Sequence, residues 1–440
     1  MPTAEDSKQE AGEEQCPYVK IDKIDELIKT VRSKGVISDV DDFAGGSDPA
    51  SQTVADNFLR NVVTFVNGDA HLVRRKLWNS LVRPAALEQL RETVVLPALR
   101  RHMTRMLAEP NEDGAYEVDL CQLVERTVLE MGAKLIGFSD VDTEEGLAEL
   151  QECIYPMFTA NVSVFYEDRD PIIQAGLEAR KKFVERFLKP AIDRQRELLA
   201  KVEAGELSEG DLPMNLARFF ASVADPAYED LDLAIREANT MFITSTGTSV
   251  QAIVSTVDDL SKWFEKHPED YHLRTDLEFI SRALQESIRL KAPYISYMTR
   301  RAVDDFTVGD KEIKAGQLLH IKYPVANRST ETFGEDASEF NPWRKSPEGL
   351  PRYGVAFGSG EHQCFGLRVV LGNDGKSGSH LRIVRALFEA GVRPHASKQP
   401  DIMVMKDEDH DGNDIVTYSS YPAEFTSWDP SAAATTAPSA

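Results

Sequence analysis

The chain of 440 residues is expected to fold as a mainly α-helical protein with small β-sheets, and three observations carry that expectation. Apolar residues recur at helical spacing over long stretches, strand-like runs are short and gather late, and 42% of the residues are hydrophobic, enough for one large core. No stretch rich in Pro, Gly or Ser divides the middle. Residues 18–428 therefore read as a single domain between a flexible acidic leader, 1–17, and a low-complexity tail, 429–440.

Helical periodicity runs through Ala86 to Leu107, Val118 to Ile136, Ile172 to Leu199 and Leu231 to Phe264, the last being long for a globular helix. Strand-like stretches follow at Tyr297 to Arg301, Phe306 to Val308, Leu318 to Lys322 and Met403 to Met405, with turn residues Gly309-Asp310 and Ala315-Gly316 between some of them. The run Arg180, Lys181, Lys182, Glu185, Arg186 mixes signs on a helical pattern and reads as a solvated face.

Asp and Glu outnumber Lys and Arg by 73 to 50, a formal net charge of −23. Such a surface repels phosphate backbones and anionic lipid, so nucleic-acid and peripheral membrane binding are not expected. The four cysteines, Cys16, Cys121, Cys153 and Cys364, lie far apart, without the pairing of a zinc ribbon or a disulfide framework. No eighteen-residue apolar run and no apolar leader are found, so a cytoplasmic protein without a membrane anchor is expected, as a monomer.

The most informative segment is Phe357-Gly358-Ser359-Gly360-Glu361-His362-Gln363-Cys364-Phe365-Gly366. Its glycines allow a tight turn that aims amide N–H groups at a thiolate, which is what a sulfur ligand to a metal requires. Taken alone, Cys364 reads as a buried free thiol beside an ordinary turn. The whole spacing, Phe-x-x-Gly-x-x-x-Cys-x-Gly, resembles the signature loop of the cytochrome P450 family, haem-thiolate enzymes, and further segments match in the family's order over nearly the whole chain.

What the resemblance implies is specific. Cys364 would ligate the iron of haem b, with Phe357, Gly358 and Gly366 shaping the loop around it. Glu286 and Arg289 match the family's Glu-x-x-Arg helix, where residues three apart share one face. Arg344, in Phe340-Asn341-Pro342-Trp343-Arg344, would join that pair and support the cysteine loop. His71, Arg75, Arg300 and His362 would hold the haem propionates by charge-assisted hydrogen bonds. Because Arg301 follows Arg300, a slip of one residue would exchange the two.

The resemblance also implies a monooxygenase, since a thiolate ligand favours O–O cleavage. Here the chain departs from the pattern. The family normally places an acid before a threonine in the middle of its long helix, over the haem, whereas this chain reads Thr244-Ser245-Thr246-Gly247-Thr248-Ser249. Thr248 keeps the threonine position and Gly247 replaces the acid. Hydroxyls bonded back to carbonyls four residues earlier, with a glycine among them, are expected to bend or open the helix there. Protons would then arrive through water held by Thr246, Thr248 and Ser249, or by a polar group of the substrate. Alternatively, the enzyme has non-standard chemistry: a peroxygenase, an isomerase or dehydratase, or a nitric oxide reductase. A second departure is Gly372 to Ser379, a flexible loop by composition, interrupting the helix after the cysteine.

No flavin, nicotinamide or iron–sulfur segment is evident, so electrons are expected from a separate ferredoxin or flavodoxin with its reductase. It would be steered to a proximal face carrying Arg74, Lys76, Arg83, Lys345, Arg352, Arg368 and Lys376. Pocket residues implied by the resemblance are Met241, Phe242, Ser245, Tyr294, Ile295, Ser296 and Tyr297, with unspecified positions in 44–66 and 153–166, which suits a medium-sized, mainly apolar organic substrate reacting with O2. Two rivals stay open: a haem-binding sensor or carrier without turnover, and an all-helical binding protein without haem.

Overall fold

The computed structural model describes residues 18–292, 297–406 and 414–429. Its axis is one helix, Leu231–Lys266, 36 residues and about 54 Å long at 1.5 Å per residue. Asp230 caps it, its side chain accepting from Asp232 N, and the helix runs unbroken through Gly247. Helices Leu120–Ile136, Leu277–Lys291 and Ser379–Glu389 pack along it. Gly132 permits the closest approach, since a Cβ there would sit 3.2 Å from the Phe242 ring.

The long helix is shared between two apolar cores. Its first part, Leu233 to Phe242, packs with Phe58, Phe138, Phe183 and Leu216; its later part, Val250 to Phe264, packs with Val124, Phe279, Leu284 and Leu387. The hydroxyl-rich run 244–249 lies between them, because Thr, Ser and Gly carry too little apolar surface to join either. Phe365, next to Cys364, packs against both cores.

Eleven strands lie among the described residues: β1 (Tyr18–Ile21), β2 (Val36–Ile37), β3 (Tyr116–Asp119), β4 (Met298–Ala302), β5 (Phe306–Val308), β6 (Lys311–Ile313), β7 (Leu318–Ile321), β8 (Val392–Pro394), β9 (Asp401–Met405), β10 (Ile415–Ser420) and β11 (Pro422–Phe425). The largest sheet has the order β1-β7-β4-β2, with β1 parallel to β7 and the other pairs antiparallel. Strand β4 carries Arg300 to the side of the cysteine loop, beside His362.

Mainly helical with small sheets is thus the observed architecture, and the expected elements differ in detail. The helix expected from Val118 begins at Leu120, because Tyr116 to Asp119 pair with β11 and Asp119 then caps the helix through Cys121 N. The stretch from Ile172 runs from Asp170 to Glu203 through a wider π-type turn at Val184–Leu188. No helix among the described residues is long and apolar enough to cross a membrane.

Candidate active site

Cys364 sits where a turn returns on itself. Its N–H donates to Phe357 O at 2.8 Å, and Gly358 and Gly360 take the left-handed conformation at φ 69° and 73°. A Cβ on Gly360 would lie 2.8 Å from Val31 O, so only glycine fits there. The backbone N–H groups of Gly366 and Leu367 and the charge of Arg75 all favour the thiolate, while burial pushes the thiol pKa up. The residue nevertheless has exposed surface. Exposure and desolvation together mean that the sulfur faces a recess inside the protein rather than its exterior.

Behind the loop lies a closed ionic network. Arg289 pairs bidentately with Glu286, Nε to Oε2 and Nη2 to Oε1 at 2.8 Å each, and also donates to the carbonyls of Asn327 and Ala337; both side chains are fully buried. Arg344 Nε donates to Glu286 Oε1 at 2.9 Å, and its other nitrogens reach Asp336 and the carbonyls of Phe333, Asp336 and Glu339. Arg352 donates to Arg344 O. The network joins the helix of Glu286 to the segment leading into the cysteine loop.

Beside the sulfur, four basic side chains converge. Arg75 donates to Gln363 O at 2.6 Å and its guanidinium lies 5.5 Å from the Phe365 ring. The rings of His71 and His362 are 4.4 Å apart. Burial, with Arg75 and Arg74 adding to it, lowers His71 to a pKa of about 4; burial, His71, Arg300 and Arg75 lower His362 to about 3. Both imidazoles are therefore neutral at pH 7, and the single N–H of His362 is spent at Nε2, which donates to Asn67 Oδ1 at 3.0 Å. Glu361 Oε1 accepts from Gly68 N at 2.8 Å and stands 3.3 Å from His71 Nδ1, tying the cysteine loop to the start of helix Gly68–Leu81.

Arg300 and Arg301 divide sharply. Arg301 engages Asp42, Asp39 and Gly316 O. Arg300 is buried, donates to Thr299 O at 2.8 Å, and meets no carboxylate among the described residues. A buried guanidinium without an anion is costly, and the thiol on its recess has the donor character of an iron ligand. The residues present thus fit a dianionic porphyrin held through sulfur.

On the long helix the hydroxyl run sorts by angle. Thr244, Gly247 and Thr248 share an open face in mid-helix; Thr246 and Ser249 point elsewhere and are buried. At 3.6 residues per turn, Thr246 lies on the opposite side from Thr244 and Thr248, so the expected grouping of Thr246, Thr248 and Ser249 is not what the geometry brings together. Thr244 and Thr248 donate to the carbonyls four residues back, Thr240 O at 2.8 Å and Thr244 O at 2.7 Å, as such side chains do. Gly247 faces open space, with no atom within 4 Å of a Cβ built on it. The expected opening of the helix at this point does not occur as a break.

Of the expected pocket residues, Met241 and Phe242 are buried in the core, Phe242 against Phe138 and Phe183. Ser245 is half-buried and donates to Met241 O. Tyr297 stacks on His320 at 3.7 Å, within the sheet region. Tyr294, Ile295 and Ser296 lie outside the described residues. The regions 44–66 and 153–166 do meet: Gly45 packs on Val164 with room for no side chain, and exposed Phe43, Phe158 and Phe165 flank the contact.

The loop after the cysteine is not loose. Asp374 accepts from Lys376 N, Ser377 N and Ser377 Oγ at 2.8 Å each, while Ser281 Oγ donates to Gly375 O, Arg91 donates to Ser377 O, and Lys376 pairs with Glu278. Composition alone could not show these partners, which come from distant helices. Of the seven basic residues expected on the donor face, Arg74 is buried inward on Glu237, Arg352 is bound to Arg344 O, and Lys376 is neutralised. Lys76, Arg83, Lys345 and Arg368 remain exposed.

Sequence reasoning passed over Thr244 and the Glu237–Arg74 pair. Spacing on the helix could have found Thr244; the pair spans 163 positions and has no local signal.

The comparisons with known proteins agree with this geometry. A family model described as Cytochrome P450 matches residues 259–370, the stretch holding Glu286, Arg289, Arg344 and Cys364. Cytochrome P450 130 of Mycobacterium tuberculosis is 35% identical over 94 residues, 21% of this chain and 22% of that protein. The mycinamicin VIII C21 methyl hydroxylase of Micromonospora griseorubida is 36% identical over 102 residues, 23% of this chain and 24% of that one. These alignments span about a quarter or less of the relatives' own length. Among solved structures, P450BioI in complex with hexadec-9Z-enoic acid ligated acyl carrier protein superposes with a TM-score of 0.66 over 92% of both chains at 15% identity. Cytochrome P450-153 from Novosphingobium aromaticivorans gives 0.65 over 93% of this chain and 90% of that one at 18% identity. Likeness at that identity shows a shared fold.

Proposed function

We propose that the chain is a member of the cytochrome P450 family, holding a cysteine-ligated haem b, and that it is a monooxygenase inserting one atom of O2 into a medium-sized, mainly apolar organic substrate. The observation that carries the reading is Cys364 on an interior recess with Arg75, Arg300, His71 and His362 grouped beside it.

When bound, haem supplies a thiolate-ligated iron at which dioxygen is activated. The chain's own residues do the rest. Cys364 provides the ligand, and the N–H groups of Gly366 and Leu367 temper its charge. Arg75 and Arg300 would give the carboxylates of the group fixed positive partners, with the neutral imidazoles of His71 and His362 beside them. Glu286, Arg289 and Arg344 support the loop without touching the reacting atoms. Thr248, on the open face of the long helix, holds a proton at Oγ1 close to where oxygen chemistry takes place.

Electrons come from a separate ferredoxin or flavodoxin, steered to Lys76, Arg83, Lys345 and Arg368, each exposed and without an ion pair among the described residues. The hydroxylases among the relatives support insertion of oxygen at carbon. A second reading, non-standard oxygen chemistry such as peroxide use, draws on Gly247, where the family's acid is absent. The deciding experiment is the reduced carbonyl difference spectrum of wild type and Cys364→Ser, followed by product analysis with a donor and with peroxide. A thiolate-type spectrum lost on substitution, with donor-dependent product, is expected. An unchanged spectrum in Cys364→Ser overturns the reading.

A further inference from the structure

We propose that Glu237 is the proton source that replaces the missing acid, acting through a file of hydroxyls, Thr240, Thr244 and Thr248, along one face of the long helix from the buried core to the open recess. The inference rests on the monooxygenase reading above.

The helix itself supplies the alignment. Thr244 and Thr248 follow Glu237 by seven and eleven residues, which at 3.6 residues per turn is about two and about three turns, so all three lie on one stripe. Thr240 falls one turn after Glu237. At 1.5 Å per residue the successive positions are about 4.5, 6 and 6 Å apart along the helix axis, and water between the side chains completes the file. Burial falls along the stripe: Glu237 is 0% exposed, Thr240 4%, and Thr244 and Thr248 are exposed. The Thr240 hydroxyl is buried and makes no hydrogen bond within the protein, although both of its neighbours in the stripe are engaged. A buried hydroxyl free to bond on either side, placed between an acid and an open recess, is what a relay needs.

The charges around Glu237 explain why it keeps a proton to give. Arg74 faces two carboxylates, Glu237 Oε1 at 3.2 Å and Asp225 Oδ2 at 3.6 Å, and also donates to Asn61 O. One guanidinium cannot neutralise both acids. Tyr228 adds no positive charge, and Arg236, on the same helix, is drawn to Asp230. Burial therefore raises Glu237 to a pKa of about 7, against the pull of Arg74, the Val63 N–H and Arg236. After the proton leaves, Val63 N–H, at 3.1 Å, and Arg74 stabilise the carboxylate. The balance is simple: one proton leaves Glu237, each oxygen of the file accepts one and passes one on, and one departs at Thr248 Oγ1. Solvent restores it through the Asp225 end of the cluster, where that side chain is 11% exposed.

Two variants test this on the full-length haem-loaded chain. Glu237→Gln keeps an acceptor for Val63 N–H and removes the proton; Thr240→Val keeps the volume and interrupts the file. Infrared spectra of the ferric, substrate-free protein should show a protonated-carboxyl C=O band that fades as pH rises through about 7 and is absent in Glu237→Gln. Product formed per electron consumed should fall by about a hundredfold in both variants, the low end of what a positioned proton donor contributes, with the substrate-induced spin shift retained. Thr240→Val should keep the infrared band. The relay is overturned if no such band belongs to Glu237, or if either variant couples electrons to product as wild type does. Wild type that forms no product despite a thiolate-type carbonyl spectrum would instead overturn the monooxygenase reading, and the relay with it.

Discussion

Arg300 and Arg301, adjacent on β4, stand in opposite environments: Arg301 is matched by Asp42 and Asp39, whereas Arg300 is buried beside His362 with no carboxylate among the described residues. Alternation of side chains along a strand produces the division. Arg300→Ala should therefore purify with markedly less haem, since losing one charge-assisted bond, about 1.5–3 kcal/mol, weakens retention by about tenfold to a hundredfold. Arg301→Ala should keep its pigment but lose about 1–3 kcal/mol of stability, because it leaves the Asp42 carboxylate, whose side chain is 7% exposed, without its cation. Haem content per chain and urea unfolding check both, and equal pigment loss in the two variants would contradict the assignment.

The network of Glu286, Arg289 and Arg344 is predicted to govern folding rather than rate. Arg289→Ala leaves Glu286 fully buried with only part of its compensation, a change that costs about 3–5 kcal/mol. A folded, haem-loaded Arg289→Ala variant with wild-type urea midpoint would refute this.

Gly247 leaves room for the acid it replaces. Gly247→Asp should fold with a melting temperature close to wild type, as Gly and Asp differ in helix propensity by only a few tenths of a kcal/mol, about 0.3. Introduced into Glu237→Gln, it should restore the yield of product per electron. Unrestored yield in a well-folded double variant would show that an acid at this position cannot take over delivery.

Asp374 is predicted to give the loop after the cysteine an acid-sensitive clamp. Hydrogen bonds from the backbone of Lys376 and Ser377 and from the Ser377 hydroxyl hold its pKa down to about 2, against an ordinary value of 3.8. A depressed carboxylate stabilises the folded loop above its ordinary pKa, and that contribution declines as pH falls through about 4 and then 2. Protection of the Lys376 and Ser377 amides, relative to their intrinsic exchange rates, should fall over that window in wild type. In Asp374→Asn the same amides should show no acid step there.

Reduction by an acidic donor should slow as salt rises, because four exposed cations stand on a chain of net charge −23. Lys76→Glu with Arg368→Glu should slow it several-fold at low salt and little at high salt. Stopped-flow rates independent of salt would exclude this face.

Much of the fold could be read from the chain. The long helix was visible as period and length from Leu231 to Phe264, two residues short of its end at Lys266, and the cysteine loop as fixed spacing. The placement of Phe242 was not, because an apolar residue of the long helix reads the same whether it faces a cavity or, as here, Phe138 and Phe183. Nor was the order in the loop 372–378, whose partners Arg91, Glu278 and Ser281 are remote in sequence.

By itself the sequence determined the helical architecture, the glycine-rich loop around Cys364 and the absence of an acid at Gly247, since each follows from local period, spacing or residue identity. Only the tertiary structure decided which of two neighbouring arginines lacks an anion, which hydroxyls share a face, and that Glu237 and Asp225 compete for one guanidinium. Those outcomes depend on solvent exclusion and on charges brought together from distant segments, and neither is encoded in any single stretch of chain.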